Sequence, residues 1–365
     1  MRCKTVTIGA VLATTVSLAM GVNVNAAPPN QSADDARQIS ELSQRYLQQR
    51  ADRLTNRPQT AGFTVTTTTE LSNELKGDTA RLDERRKKLQ DIDCGFSHAE
   101  VATTVEKLDV AANGRRATVR VLESTKLYFQ VTDASSPKFE WFALPHTLEL
   151  VRGSSGWQLA EVKAELTTGA PAPSTQFTSS VPTTGQAGPG KTRSDVAKPA
   201  DGQRAQKVIT AAYDYYAMAE YAKRYVYSSN PAYRTYDQDC TNFISQAMRA
   251  GGWEPVDGDR TSNGAWYYGN WTWTTSYTWA GAENWYWFAT GSGRTWILPY
   301  VYDMGFADVL QADWDRDNIV DHTMLVTQVD TVDRYLTYHS GPELNKRLAH
   351  LINENPNAWW YSHRT

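Results

Sequence analysis

The sequence predicts an α+β protein built from two modules, and three observations carry that reading. Apolar residues recur at helical spacing near residues 33–53, 205–226 and 240–249. Other stretches alternate like antiparallel strands and are punctuated by turn signals at Asn113-Gly114 and Gly153 to Gly156. Residues 167–204 are rich in Thr, Ser, Pro, Gly and Ala and lack apolar periodicity, the composition of a flexible linker with few contacts across it.

The N-terminus reads as an export signal. Arg2 and Lys4 form a basic start, Thr5 to Met20 a short apolar core, and Val24-Asn25-Ala26 a small-residue cut site, so residues 1–26 are expected to be a signal peptide and the mature protein secreted. The apolar core is too short to span a bilayer, no later segment supplies about 20 apolar residues, and Cys3 precedes the core, so no membrane anchor is expected. Cleavage would leave Cys94 and Cys240, either as one bridge or as two thiols, and the residues flanking Cys240 suit a reactive thiol better.

The first module, residues 33–166, opens with a helix over about 33–53, in which Ile39, Leu42, Tyr46 and Leu47 fall on one face. Strands are expected at Phe63–Glu70, Glu106–Val110, Ala117–Leu122, Leu127–Val131, Trp141–Val151 and Trp157–Val162. A helix followed by a curved antiparallel sheet resembles the cone-shaped fold of nuclear-transport-factor-like domains. His98, His146 and Cys94 show no spacing that suggests a site.

The second module, residues 205–365, holds eleven of the thirteen Trp and sets twelve Lys plus Arg against eighteen Asp plus Glu, which excludes an electrostatic footprint for nucleic acid or anionic lipid. A long helix over 205–226 is followed by one from Cys240 to about Arg249. Asp239 stands at the cap position, Phe243, Ile244, Ala247 and Met248 face inward, and Gly251-Gly252 is the stop. Cys240 therefore lies in a first turn, where the helix dipole and free N–H groups favour a thiolate and can serve an oxyanion. Strands follow at Asp308–Gln311, His322–Val329, Arg334–Tyr338 and Ala358–His363, with His322 opening one strand and His339 closing the next.

A thiol with an imidazole in reach is the minimum for covalent acyl transfer. Asp321 is adjacent to His322 and should point to the opposite face. Asp313, Asp315, Asp317 and Asp321 resemble the opening of a calcium loop, but position six is Asn318 rather than Gly and position twelve is Met324, so no metal is expected; the Cys and His spacing fits no zinc set either. The aromatic run from Trp266 to Trp287 reads mainly as core, with Trp271 and Trp273 as candidates for a stacking groove if that stretch is extended.

The second module resembles the putative amidase domain family, related to the papain-like NlpC and CHAP hydrolases of bacterial cell walls. The motifs are Asp239-Cys240-Thr241-Asn242-Phe243 with Ser245-Gln246, Gly251-Gly252, Trp266-Tyr267, Trp271-Thr272-Trp273, Asp308 to Gln311, Asp313 to Thr323, and Tyr338-His339-Ser340. The resemblance implies a papain-like cysteine hydrolase domain with Cys240 as nucleophile, His322 as general base and His339 as the orienting third residue, with Asn345 or Glu343 as alternatives. It also implies that Asp239 receives a substrate amine, although capping alone would explain that residue. The expected activity is amide hydrolysis in peptides, peptidoglycan stem peptides by analogy, by an extracellular bacterial enzyme that needs no cofactor.

Overall fold

The computed structural model describes residues 29–57, 62–177, 190–198 and 213–365; of 29–32 only the backbone is considered. The expected signal peptide and the first part of the 205–226 helix lie outside the described residues.

The first module packs two helices on a four-stranded antiparallel sheet. Helix α1 spans Pro29–Asp52 and α2 spans Thr69–Asp91. The second was not anticipated, and its region was expected to begin as a strand. Its sequence is dominated by charge, but Leu71, Leu75, Leu82 and Leu89 line one buried face, and Thr68 caps it by accepting the Leu71 N–H at 3.3 Å. The strands are β1 Phe96–Val110, β2 Arg116–Phe129, β3 Phe139–Gly153 and β4 Gly156–Ala164. The two runs expected at 117–122 and 127–131 are therefore one strand, β2. Val119, Val121, Leu148, Leu150, Trp157 and Leu159 meet Ile39, Leu42 and Leu47 of α1 in this module's core.

The second module begins with α3 Tyr215–Tyr225, capped by Asp214 on the Ala217 N–H at 2.9 Å, and α4 Cys240–Ala250. Helix α4 is buried along nine consecutive residues. Its C-cap must be Gly251, because a side chain there would strike Met218 of α3 and the Asp214 carbonyl, and the chain leaves the helix at Gly252, where φ is +95°. The short α5 Tyr277–Ala280 and then α6 Ala282–Gly291 follow. The remaining elements are β5 Trp296–Ile297, β6 Val309–Asp313, β7 His322–Val329, β8 Arg334–Tyr338, β9 Glu343–Arg347, α7 Leu348–Glu354 and β10 Trp359–Arg364. Trp253, Trp266, Trp279 and Trp285 fill the space between α3, α4 and the sheet, as expected of core indoles. Among the described residues no helix is long and apolar enough to cross a membrane.

The strands of both modules belong to one ten-stranded sheet, ordered β1-β2-β3-β9-β8-β7-β6-β10-β5, with β4 on the far half of β3. Strand β3 is long enough to serve two neighbours: residues 146–153 pair with β4, and Trp141 and Phe142 pair with Leu344 and Glu343 of β9. Behind that joint lies a fully buried ionic cluster. Lys346 Nζ sits 2.8 Å from Glu354, 3.5 Å from Glu343 and 3.6 Å from Glu140, and donates to Ser174 Oγ at 2.6 Å. His350 Nδ1 lies 2.8 Å from Glu140.

The described ends of the expected linker are packed, not free. Arg50 donates to the Thr175 carbonyl at 2.9 Å, Arg85 to the Gln176 carbonyl at 2.7 Å, and Ser194 Oγ to the Leu298 carbonyl at 2.7 Å. Small polar side chains give this stretch the composition of a linker, while its backbone carbonyls, which composition does not register, are taken up by buried arginines.

Candidate active site

Cys240 is the first residue of α4 and is 4 % exposed. The N-terminus of that helix is not capped by Asp239. Ser340 Oγ, from the turn after β8, accepts the N–H groups of Asp239 at 2.6 Å and Cys240 at 3.1 Å. Of the first-turn amides expected to serve an oxyanion, the one on Cys240 is thus engaged. The Asp239 carboxylate turns outward instead, accepting from the Tyr236 N–H at 3.0 Å and Asn242 at 2.8 Å and meeting His339 Nδ1 at 2.8 Å. Ser340→Ala removes a cap supplied from a hundred residues away, and we expect it to cost about 0.5–2 kcal/mol in urea unfolding. An unchanged midpoint would show that another group caps α4.

Cys240 opens onto a cavity of about 450 Å³ lined by Thr168, Gly169, Gln238, Ala280 to Ala282, Trp314 and Asp321, among others. Burial pushes its thiol up, opposed by the Thr241 hydroxyl and by the N–H groups of Thr323 and Thr241. Thr241 Oγ1 lies 2.9 Å from Thr323 Oγ1, which accepts from Gln311 at 3.0 Å; Gln311 Oε1 in turn receives His363 Nε2 at 3.0 Å. This buried chain ties α4 to β7, β6 and β10. It was missed as a unit, and its trace in the sequence is the polar Gln311, Thr323 and His363 inside otherwise apolar strands.

His322 opens β7 as expected and is fully buried (0 % exposed). Because strand residues alternate, Thr323 faces α4 while His322 faces the other side, its ring 6.0 Å from Trp314 and edge-on to Tyr338 at 5.3 Å. Among the described residues no side chain bonds either ring nitrogen, and the polar group that acts on the ring is the Gly169 carbonyl. Burial lowers the imidazole to about 3, opposed by that carbonyl. Cys240 and His322 thus flank the same strand end as neutral thiol and neutral imidazole, without a bond between them.

The bond expected from His322 to His339 is not formed, for the same reason of alternation. Tyr338 turns its ring to His322, so the next residue points to the opposite face. There His339 stacks on Phe243 of α4 at 3.8 Å, and its Nε2 donates to the Tyr225 carbonyl at 2.9 Å. Its contact with the nucleophile runs through Asp239. The alternatives also lie elsewhere: Glu343 accepts from Tyr338 Oη at 2.7 Å, and Asn345 donates to the Phe139 carbonyl at 3.4 Å.

Trp271 precedes and Trp273 sits within a single 3-10 turn at Thr272–Thr274 rather than an extended run. They stack on each other in parallel at 5.4 Å and remain 60 % and 65 % exposed, on a loop held by Arg234 through Gly269 and Thr275. They do not line the Cys240 cavity. Asp313, Asp315 and Asp317 bring carboxylate oxygens within 4.8 Å of one another. The Asp313 oxygens already receive the Arg316 and Asn318 N–H groups, and Asp321 receives that of Trp314. Burial raises Asp313 and Asp321 to about 6. Cys94 and Cys240 are both free thiols, so the bridge that two cysteines allowed is not formed.

Residues 212–363 match the family described as "Putative amidase domain", which supports an amidase-domain family for that part of the chain. Two proteins of Bacillus subtilis (strain 168) are similar to it. The uncharacterised protein YhbB is 30% identical over 160 residues, covering 39% of this chain and 51% of its own length; the uncharacterised protein YjcM is 32% identical over 143 residues, 36% of this chain and 32% of its own length. The chain thus spans about half of one relative and a third of the other. Among solved structures, the intermembrane space region of chloroplast protein ARC6 (16% identity, TM-score 0.24, 36% of this chain and 95% of that one) and the Kfla4162 protein from Kribbella flavida (23%, 0.24, 36% and 90%) are similar, and at that TM-score neither bears on fold or function.

Proposed function

We propose that the protein is a secreted, cysteine-dependent amidase of papain-like type that hydrolyses peptide amides, with peptidoglycan stem peptides as substrate. The observation that carries this reading is a lone thiol on the first turn of a buried helix, opening into a cavity, inside the region that matches an amidase family. Cys240 Sγ attacks the amide carbonyl and His322 takes the thiol proton. As the C–N bond breaks the amine leaves with that proton, giving a thioester. Water, deprotonated by His322, then releases the acid and regenerates the thiol.

In this scheme Asp239 and His339 position the Cys240 turn and line a neighbouring cavity that receives a substrate amine, and Trp271 and Trp273 offer a stacking surface for the polymer beyond the Cys240 cavity. His339→Ala should lower kcat by up to about 10²-fold through misplacement of the nucleophile. Asp239→Asn combined with it should add little, because both act through one contact. Full additivity in steady-state rates would separate the two residues. The direct test of the function is to incubate the full chain with purified peptidoglycan and with N-acyl amino-acid amides. Mass spectrometry should find new amine and carboxylate ends in stem peptides, and intact amides throughout would refute the assignment.

A further inference from the structure

The segment joining the modules crosses the mouth of the site. Thr168 and Gly169 form part of the wall of the Cys240 cavity. The Gly169 carbonyl accepts the Trp314 indole N–H at 2.8 Å and is the polar group acting on the buried His322 ring. Gly169 takes φ +75°, a conformation a side chain would strain, and lies beside Gln238, two residues before the nucleophile. Just beyond it, Ala170 and Pro171 pack on the turn that carries His339 and Ser340; a side chain at Gly341 would come within 3.4 Å of Ala170 Cβ.

Both ends of this strap are fastened. Upstream, Glu165 donates its N–H to the Pro145 carbonyl at 2.9 Å and pairs with Arg120 at 2.8 Å. Downstream, Ser174 is held by Lys346 and the Thr175 carbonyl by Arg50. A peptide carbonyl of the chain itself thus sits beside the candidate base, in the cavity of the candidate nucleophile.

We infer that residues 167–171 form an autoinhibitory strap, which is fastened to Trp314 through the Gly169 carbonyl and covers the Cys240 cavity until it is displaced. The inference rests on the amidase reading for its purpose, but not for its test. Displacement would admit water and a substrate carbonyl to the cavity wall where Gly169 now lies.

The test uses the full chain and two variants that loosen the strap differently. Trp314→Phe removes the N–H donor and keeps a ring against His322; Gly169→Val strains the backbone where no atom crowds a new Cβ more closely than 3.7 Å. The readout is the rate of alkylation by iodoacetamide, resolved by peptide mass spectrometry for Cys240 and for buried Cys94. Each variant should speed Cys240 alkylation roughly two- to tenfold, the range one net hydrogen bond can shift a local opening. Cys94 should keep its wild-type rate. Unchanged Cys240 rates in both variants, or a rise shared equally by Cys94, would overturn the strap. Faster Cys240 labelling in a protein that cleaves no amide would leave the strap standing and remove the amidase reading. Amide cleavage with unchanged labelling would do the reverse.

Discussion

Cys240→Ala is expected to lower amide hydrolysis by at least about 10⁴-fold while the protein unfolds at nearly the same urea concentration. The first half follows from the role: without Sγ no thioester forms, and removing the nucleophile of an acyl-transfer site typically removes most of the rate it supplies. The second half follows from the site. The thiol's side-chain contact is a long approach of 3.7 Å to Thr241 Oγ1, and the backbone N–H groups of Thr323 and Thr241 near it stay in place in the alanine variant. The helix cap that matters, Ser340 Oγ, binds backbone N–H groups that alanine retains. Alanine is also a good helix former at this position. Residual turnover near wild type in a folded variant would move the chemistry off Cys240.

Lys346→Met should show the largest loss of stability of any single substitution at the joint, about 3–5 kcal/mol, because it leaves carboxylates buried without their cation. Burial raises Glu343, so it tends to carry its proton, and Tyr338 donates to it. Burial would raise Glu140 as well, but Lys346 and His350 outweigh it and hold that carboxyl below the ordinary range. A depressed carboxylate contributes stability above its unfolded pKa and loses it as pH falls through the folded value. The gap between wild type and Lys346→Met should therefore be widest near neutral pH and should narrow in acid. Lys223→Met, which loses a more exposed pair with Glu220 at 3.2 Å, should cost no more than about 1 kcal/mol. Equal effects from the two, read from urea unfolding, would mean that the cluster does not bind the modules together.

What could be read from the residues in advance follows from how local each signal is. Helix α4 was legible to within a residue because its start, inward face and glycine stop all lie within thirteen positions. Strands β7 and β8 were legible because their alternation is local too. Strand β9 was not expected: Glu343-Leu344-Asn345-Lys346-Arg347 is polar at four of five positions and carries no apolar alternation. It is buried because Glu140, Glu354 and Ser174 supply partners for its Lys346, two of them more than 170 positions away. The same holds at the site. Cys240 and His322 announce themselves by type and chain order, but the cap from Ser340 spans a hundred residues. The orientation of His339 depends on which face the end of β8 presents, and the strap depends on a glycine conformation within a segment whose composition reads as linker.

The central claim is that Cys240 carries the acyl group. Full chain mixed with an amide substrate and quenched in acid within the first turnovers should yield a Cys240-containing peptide heavier by the acyl moiety, and hydroxylamine should remove that mass. A peptide of unmodified mass throughout turnover, or an acyl group found on another residue, would contradict the account.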